Sequence, residues 1–442
     1  MGASRAKQCL GGLAISMALA ACGGGDGGNG SGDAGTGSPA TPVAPVTPTA
    51  VTYTGVISFG DTIAVTLDAP AAGQVKIRFA DSTFGLGGTL IGTYSMSAGQ
   101  FGYVPAAAAA AGAGAGVYTV SGLMPDRADP PPITIPPAAL VPIQATFAVS
   151  GATLTGEISG LPNLLGTGGG NLAGHINASS TPVLAPRSSL AGTYAFMITL
   201  ATYSADTGHL MFDAQYAGGG QMRLRPDGTM RMCLGGKYSD TCPSAWQGFL
   251  VPADQTRFPG AYEFNVGGEV YGRVFAAQVG GVQTLYLDRN VTNISGNKMT
   301  GTLVFRPLQT LANQQMDGSW ACSQPGVTTV TEAGTGNTIP VLDGTLRTAK
   351  LTIAGADIRN ETTGDVSSLA LNYGELLSSG SALMTQLDGM MAADWPVAPT
   401  VGNPSPGTRP QVFLPIDAKT MAYYTLVPNA QYYAQGMCRK AG

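Results

Sequence analysis

The sequence predicts an all-β protein made of tandem antiparallel β-sandwich or β-barrel modules behind a flexible N-terminal tether. Short alternating segments and short segments rich in β-branched residues recur along the chain, for example at residues 63–67 and 302–305, and turn residues separate them. Strong amphipathic helices are scarce, and the best candidate, residues 373–391, contains three glycines. At 442 residues the chain exceeds one ordinary domain of about 100–200 residues, so several modules are expected.

The composition excludes several classes of protein. Hydrophobic residues make up 44% of the chain, which is enough to build a core. The balance of 22 basic and 26 acidic residues argues against binding through phosphate charge, so no nucleic-acid partner is expected. Two histidines, His175 and His209, argue against a multi-histidine metal centre, and neither a metal nor a cofactor is predicted. After residue 21 no apolar run reaches the length of about 20 residues that a membrane-spanning helix needs.

The N-terminus has the layout of a secretory signal. Arg5 and Lys7 precede an apolar stretch over residues 10–20, which is too short to span a bilayer. It ends in Leu19-Ala20-Ala21-Cys22, which resembles the lipobox of bacterial lipoprotein precursors. The resemblance implies that the Cys22 thiol receives a diacylglyceryl group, that the signal is cut before it, and that a fatty acid such as palmitate acylates the new terminus. The alternative is an ordinary signal peptide in which Cys22 has no special role.

The residues after Cys22 predict a tether that ends near residue 50. Residues 23–30 are mostly glycine and should be flexible, and four prolines between residues 39 and 48 then stiffen the chain towards polyproline II. Several acyl chains, at roughly 0.8 kcal/mol per buried methylene, would hold such a terminus stably in a membrane. In the lipoproteins that this segment resembles, an aspartate after the cysteine signals retention in the inner membrane, and here that residue is Gly23. The resemblance therefore implies a cell-envelope protein anchored in the outer membrane, facing the periplasm or the surface.

The cysteines of the body predict disulfides. Four remain once the two near the N-terminus are assigned to the signal and the lipid, and an even number in an exported chain allows two disulfides in three pairings. A Cys233–Cys242 bond would join two strand ends across a short loop, and a Cys322–Cys438 bond would join the two ends of the last module. These two pairings are expected. A zinc site is the alternative, but the CxxC spacing typical of thiolate sites is absent.

These signals divide the chain into a signal peptide, a tether and three β modules, at residues 1–21, 22–50, 51–185, 186–312 and 313–442. A faint repeat suggests that the last module duplicates the one before it. The matched segments occur in the same order, namely 192–196 with 318–322, 227–231 with 343–347, 274–275 with 412–413, and 284–286 with 420–423. The alternative is that aromatic strand starts and Asp-Gly turns recur in any β protein. A proline-rich stretch at 395–410 then predicts an exposed loop, which makes Trp395 a candidate binding residue.

The residue pairing of one β-hairpin can be predicted. The turn Pro226-Asp227-Gly228 is typical of a three-residue hairpin loop with glycine in the left-handed position, and it pairs Leu224 with Met230. One face of the hairpin is then apolar, and the other carries Arg223, Arg225 and Arg231. The three arginines are candidates for binding an anion or a sugar acid. Alternatively, they are a solvated strand face whose charge deters edge pairing.

The remaining candidates for chemistry are weak. His175 and His209 lie among polar and glycine residues, so both are expected at the surface. The tyrosine pairs 423–424 and 432–433 predict aromatics on both faces of the last strands, either for binding a glycan or a protein or for filling a core. Acidic residues are scattered, so a pair of carboxylates able to act as acid and base could assemble only through the fold.

Two functional hypotheses follow. The first is a non-catalytic lipoprotein of the cell envelope that binds or adheres to a glycan, a protein or another envelope component. The second is an anchored hydrolase acting on envelope or extracellular polymers. Dispersed charge, scarce histidine and tandem β modules favour the first hypothesis, so no catalytic residue is assigned.

Overall fold

The structure, a computed structural model, consists mostly of antiparallel strands. Most strands pair with the next strand along the chain. The structure describes residues 50–68, 73–97, 116–135, 137–140, 142–166, 170–180, 183–211, 216–242, 246–293, 295–331, 336, 338–378, 381–397, 407–427 and 432–441. Residues 47–442 form one compact unit. The signal, Cys22 and the tether up to residue 49 lie outside the described residues.

The first eight strands form barrel 1. They are β1 (Val51–Ile57), β2 (Asp61–Leu67), β3 (Gln74–Asp81), β4 (Gly88–Ser97), β5 (Gly116–Pro125), β6 (Gln144–Ser150), β7 (Thr153–Pro162) and β8 (Asn171–Ser179). Each strand pairs with the next one, and β8 pairs back with β1 through Thr54 opposite Ser179. The ring is therefore closed without a free edge.

The next eight strands close in the same way into barrel 2. They are β9 (Gly192–Tyr203), β10 (Tyr216–Leu224), β11 (Thr229–Leu234), β12 (Trp246–Pro252), β13 (Ala261–Val266), β14 (Glu269–Val279), β15 (Val282–Thr292) and β16 (Lys298–Pro307). Strand β16 pairs with β9 over ten residue pairs, from Lys298 opposite Tyr203 to Pro307 opposite Tyr194.

The last eight strands form barrel 3. They are β17 (Gly318–Thr331), β18 (Thr338–Ala354), β19 (Asp357–Asn360), β20 (Val366–Ser378), β21 (Ser381–Val397), β22 (Gly407–Pro415), β23 (Thr420–Val427) and β24 (Tyr432–Lys440). Strand β24 pairs back with β17, and β18 makes a single parallel pairing with β8 of barrel 1, between Asp343 and Asn171. The predicted all-β fold of tandem modules is confirmed, with barrels rather than sandwiches.

Helices are short. The two helices of the described residues, α1 (Pro137–Leu140) and α2 (Arg187–Leu190), have four residues each and lie in connections between strands. No helix in this part of the chain is long and apolar enough to cross a membrane. The best helix candidate of the sequence, residues 373–391, is not a helix, because its described residues belong to β20 and β21, which pair from Leu369 opposite Ala393 onwards. Pairing between the strands here prevails over a weak helical pattern.

Side chains fill the inside of each barrel, and a separate apolar cluster joins barrels 2 and 3. In β9, Phe196 and Ile198 point into barrel 2, whereas the alternate residues Ala195 and Met197 belong to the inter-barrel cluster. Because alternate residues of a strand point to opposite faces, a strand buried on both faces becomes continuously apolar. This explains the largely apolar run of β9, whose residues from Tyr194 to Tyr203 are all buried and include only Thr199 and Thr202 as polar side chains.

Neighbouring barrels also complete the core of barrel 1. Tyr203 and Leu210 from barrel 2 and Leu342 from barrel 3 are buried in that core, and the ring of Phe84 meets the ring of Tyr203 edge-on at 4.9 Å. Barrel 1 therefore shares its apolar core with the other two barrels.

The repeat predicted between the last two modules can be compared with the strand order. Residues 192–196 and 318–322 begin the first strands of barrels 2 and 3, and the other aromatic matches also fall in equivalent sixth and seventh strands. The Asp-Gly match does not, because residues 227–228 form the β10–β11 turn and residues 343–344 lie inside β18. Barrel 1 has the same strand order as barrels 2 and 3, so the topology does not relate barrels 2 and 3 more closely to each other than to barrel 1. The duplication of one module from the other stays a prediction.

Both predicted disulfide pairings are present. Cys233 is bonded to Cys242 nine residues away, and this bond closes the loop that follows β11. Cys322 and Cys438 are bonded across β17 and β24, where they are directly opposed and buried in barrel 3. The second bond joins the first strand of barrel 3 to the last, so it holds the ring closed where the chain itself provides no connection.

Candidate functional site

The hairpin of β10 and β11 has the predicted register. Arg223 lies opposite Arg231 and Leu224 opposite Met230, while Gly228 has the positive φ of 92° that the turn requires. Met222, Leu224, Met230 and Met232 fill barrel 2. The arginines therefore point outwards, and we call Arg223, Arg225 and Arg231 the arginine face.

The disulfide loop supplies partners for two of the arginines. Asp240 accepts a hydrogen bond of 3.1 Å from Arg225 and one of 2.6 Å from the Tyr238 hydroxyl, which is the largest cause of the lowered pKa of Asp240. Arg231 donates to Gln247 Oε1 at 2.6 Å and to the carbonyl of Cys242. The loop closed by Cys233–Cys242 is therefore held against the arginine face. These partners could not be predicted from the sequence, although Asp240 lies in the loop between the two cysteines.

Arg223 differs from the other two arginines. Its guanidinium carbon lies 6.0 Å from the centroid of the Tyr238 ring, and it makes no hydrogen bond or ion pair with the residues that the structure describes. Phe249, which is 56% exposed, lies opposite Thr229 on the neighbouring strand. The arginine face thus combines an exposed guanidinium that has unused donors with a nearby exposed aromatic ring.

Trp395 is not at the surface. It lies in β21, is 0% exposed, and donates from Nε1 to Gln411 Oε1 at 2.6 Å. The described residues at both ends of the predicted 395–410 loop belong to strands β21 and β22. These strands pair Trp395 with Arg409 and Val397 with Gly407. The prediction of Trp395 as an exposed binding residue is wrong, because the indole fills barrel 3.

The prediction that His175 lies at the surface is also wrong. Its Nε2 is 2.8 Å from the Ser323 hydroxyl, which donates to Glu157 Oε1 at 2.5 Å. His175 and Ser323 are 3% and 1% exposed, so this arrangement of serine, histidine and carboxylate offers no accessible nucleophile. Burial lowers the pKa of His175 to about 3, so the ring is neutral at physiological pH. His209, by contrast, is half-buried just after the turn at 205–207.

A second polar cluster lies beside this one. Gln435 of β24 accepts hydrogen bonds at Oε1 from Thr199 at 2.5 Å and from Thr302 at 2.6 Å, so it connects barrel 3 to barrel 2. We call these three residues, together with His175, Ser323 and Glu157, the three-barrel junction. The cavity lined by Ser58, Thr199 and Gln435 measures only about 20 Å³ and could hold little more than one water molecule.

Tyrosines of the last strands mainly fill cores. Tyr423 is buried inside barrel 3, and Tyr424 is buried in the cluster between barrels 2 and 3. Tyr433 is half-buried beside that cluster. Tyr423 and Tyr424 therefore lie on opposite faces of β23, as expected. Both are buried, so the tyrosines favour packing in the core over binding at an exposed surface.

Two carboxyl groups are buried where barrels 1 and 2 meet. Asp61 accepts hydrogen bonds from the Ser82 hydroxyl at 2.6 Å and from the Thr83 amide at 2.9 Å, and burial raises its pKa to about 7. Asp288 accepts a hydrogen bond from Thr62, and burial raises its pKa well above the ordinary value. Both side chains are at most 1% exposed, so the pair is not presented to a substrate.

A larger cavity, of about 240 Å³, opens between β1, β8, α2 and β14. Among the described residues, its lining includes Thr54, Ser189, Gln278 and Gln283 but no charged side chain, so neither Asp61 nor Asp288 contributes to it. Among the described residues, no group of three His, Cys, Asp or Glu side chains could hold a metal ion. The carboxylates that a hydrolase would need are therefore not found in this opening.

No protein-family model and no curated protein matches the chain. One similar solved structure is a protein of unknown function from the DUF3598 family of Nostoc punctiforme, with 10% identity, 58% of this chain and 99% of that one covered, and a TM-score of 0.18. Another is described as a candidate outer membrane protein of Bacteroides fragilis, with 13% identity, the same coverage of both chains, and a TM-score of 0.13. At these TM-scores neither likeness carries an argument about this chain.

The disulfides bear on where the protein resides. Such bonds form and persist in oxidising compartments and are rare in the cytosol. Two disulfides in the body therefore indicate an extracytoplasmic protein.

The raised pKa of Asp61 predicts a specific pH dependence of stability. The unfolded chain loses this proton near pH 3.8, whereas the folded protein keeps it up to about pH 7. The contribution of Asp61 to the free energy of unfolding is therefore complete below pH 3.8 and is lost as the pH rises through 7, with a slope of at most about 1.4 kcal/mol per pH unit. Asp61→Asn should remove this contribution to the pH dependence of the free energy of unfolding. Urea unfolding at a series of pH values between about 4 and 8 would measure it.

The exposed Asp357 provides the matched control. Asp357→Asn should leave the pH slope as it is in the unmodified protein. An Asp61→Asn variant with the full slope would contradict the assignment.

Proposed function

We propose that this protein is a lipid-anchored lipoprotein of the outer membrane that binds anionic polymers of the cell envelope through the arginine face. The observation that carries the proposal is the exposed guanidinium of Arg223, which has unused donors and lies on a rigid strand beside two further arginines. Guanidinium groups bind carboxylate, sulfate and phosphate groups through paired hydrogen bonds. The proposed role is binding without catalysis.

The charge distribution supports an anionic ligand. The whole chain has a formal net charge of −4, so a cluster of three arginines stands out against an acidic background. Arg225 has Asp240 as its carboxylate partner, but Arg231 is held by neutral oxygen atoms of Gln247 and Cys242. The positive charge of Arg231 is therefore not cancelled by a carboxylate, and its side chain is already ordered before a ligand arrives.

The N-terminus supports the anchor. The lipobox-like Leu19-Ala20-Ala21-Cys22 is followed by residues 23–49, which are rich in glycine and proline and would separate the barrels from the membrane. A tether of this kind would allow the arginine face to reach polymers near the membrane surface. The tether would extend the distance that the barrels can reach from the membrane, and the barrels would make the contacts with the ligand.

The binding proposal predicts a charge-dependent interaction. The full-length chain should bind dextran sulfate and should not bind dextran, which has the same backbone without the charges. Arg223→Gln should weaken dextran sulfate binding by about tenfold, because a hydrogen bond to a charged group contributes about 1.5–3 kcal/mol. Isothermal titration calorimetry at low and high salt would measure this, and the affinity should fall as salt rises.

Lys350→Gln serves as the matched control, because Lys350 is exposed on barrel 3 and its removal changes the net charge equally. It should leave the affinity for dextran sulfate unchanged. Equal losses from Arg223→Gln and Lys350→Gln would show that net charge alone drives binding. That result would contradict a site at the arginine face.

The anchor is tested separately. Mass spectrometry of the mature N-terminal peptide should find Cys22 as the first residue with acyl chains attached. Cys22→Ser should give a chain without these acyl groups that no longer partitions with the membrane fraction. An unmodified N-terminus elsewhere in the mature protein would contradict lipid anchoring and leave the binding test unaffected.

A further inference from the structure

One end of barrel 2 contains an aromatic cluster that the arginine face does not include. At the end where β10, β12 and β14 begin, the rings of Tyr216 and Trp246 are 6.2 Å apart, and the rings of Trp246 and Tyr271 are 5.0 Å apart. These residues belong to strands that are not neighbours in the sheet. Their rings therefore meet across the inside of the barrel, at its opening.

An arginine completes this cluster. The guanidinium carbon of Arg289, near the end of β15, lies 3.5 Å from the centroid of the Tyr271 ring. Its Nη1 donates to the backbone carbonyl of Tyr271 at 3.0 Å. Leu285 and Leu287 of the same strand fill barrel 2, so the alternate residue Arg289 also points inwards. We call Tyr216, Trp246, Tyr271 and Arg289 the aromatic mouth.

Two polar atoms of the aromatic mouth are buried without a partner. The Tyr271 hydroxyl and the Arg289 Nε make no hydrogen bond within the described part of the chain, although Tyr271 is only 9% exposed. A buried donor without a partner costs about 1–3 kcal/mol, so such groups usually have a partner or serve a function. Tyr216, Trp246 and Arg289 are half-buried, so part of the mouth is open to solvent.

We propose that the aromatic mouth binds a single carboxylated sugar ring, such as a uronic acid. The rings of Trp246 and Tyr216 would stack on the sugar face, and Arg289 would pair with its carboxylate. The Tyr271 hydroxyl would bond with a sugar hydroxyl. A simple aromatic acid would satisfy the stacking and the charge but would offer the Tyr271 hydroxyl no hydroxyl partner, so the donor set favours a sugar.

The site is distinct from the arginine face. Arg223 and Arg225 lie at the opposite end of β10 from Tyr216 and point outwards, whereas the aromatic mouth is formed by inward-pointing residues. Neither the lipid anchor nor dextran sulfate binding is needed for the mouth to act. Failure of one proposal therefore leaves the other standing.

Tryptophan fluorescence of the full-length chain tests the proposal. The chain has three tryptophans, and Trp320 and Trp395 are both 0% exposed, so quenching by acrylamide reports on Trp246. Glucuronate should protect Trp246 from quenching, with an affinity at least about tenfold above that of glucose, because the pairing with Arg289 adds a charge-assisted hydrogen bond. Trp246→Phe should remove the signal.

Variants separate the charge pairing from packing. Arg289→Gln should abolish the preference for glucuronate over glucose, and Arg289→Lys should retain part of it. Lys350→Gln, which removes one exposed positive charge from barrel 3, should leave the preference unchanged. Near-ultraviolet circular dichroism would show whether each variant is folded.

Several results would overturn the proposal. Equal protection by glucuronate and glucose, or protection by neither, would do so without any variant, and this comparison still decides if Arg289→Gln fails to fold. A folded Arg289→Gln variant that still prefers glucuronate would also overturn it. Tighter binding of benzoate than of glucuronate would show that the ligand is not a sugar.

Discussion

The burial of β9 on both of its faces is the constraint on which the arrangement of the barrels depends. Phe196 fills barrel 2 from one face, while Met197 contributes from the other face to the cluster shared with barrel 3. Polar groups enclosed in such a region must find partners, because an unpaired buried polar atom is costly. Gln435 meets this requirement at the three-barrel junction by bonding to Thr199 and Thr302. His175 meets it at Nε2 by bonding to Ser323, whereas its Nδ1 has no partner among the described residues.

This constraint also limits where function can lie. The junction and the barrel interiors are filled by side chains, and the buried carboxyl groups Asp61 and Asp288 are enclosed between barrels. An exposed guanidinium group remains on an outer strand face, at Arg223, and a half-buried aromatic group remains at a barrel end, at Trp246. Only 11% of the residues in the chain are charged, so the positions of such groups indicate where a ligand could bind. Both binding proposals rest on these groups.

Features encoded over short distances could be predicted from the sequence. The strands, the register of Arg223 opposite Arg231 and the Cys233–Cys242 bond follow from alternation, turn residues and cysteine spacing. The Cys322–Cys438 bond spans 116 residues and could be predicted only because its cysteines mark the two ends of the last module. The errors concern burial by distant segments. Trp395 is buried in a cluster with residues such as Trp320, and His175 is buried against Ser323, so distant strands cover both residues and nothing in their local sequence indicates this. The aromatic mouth was missed for the same reason, because closure of barrel 2 brings Tyr216, Trp246 and Tyr271 together from three strands.

The central claim is that the three barrels stabilise one another and behave as one body. Hydrogen exchange followed by mass spectrometry over a series of urea concentrations tests it directly, because peptides from β1–β8, β9–β16 and β17–β24 report on each barrel separately. Mutual burial predicts that all three sets of peptides lose protection in a single transition at the same urea concentration. Loss of protection in one barrel while the other two stay protected would contradict the account.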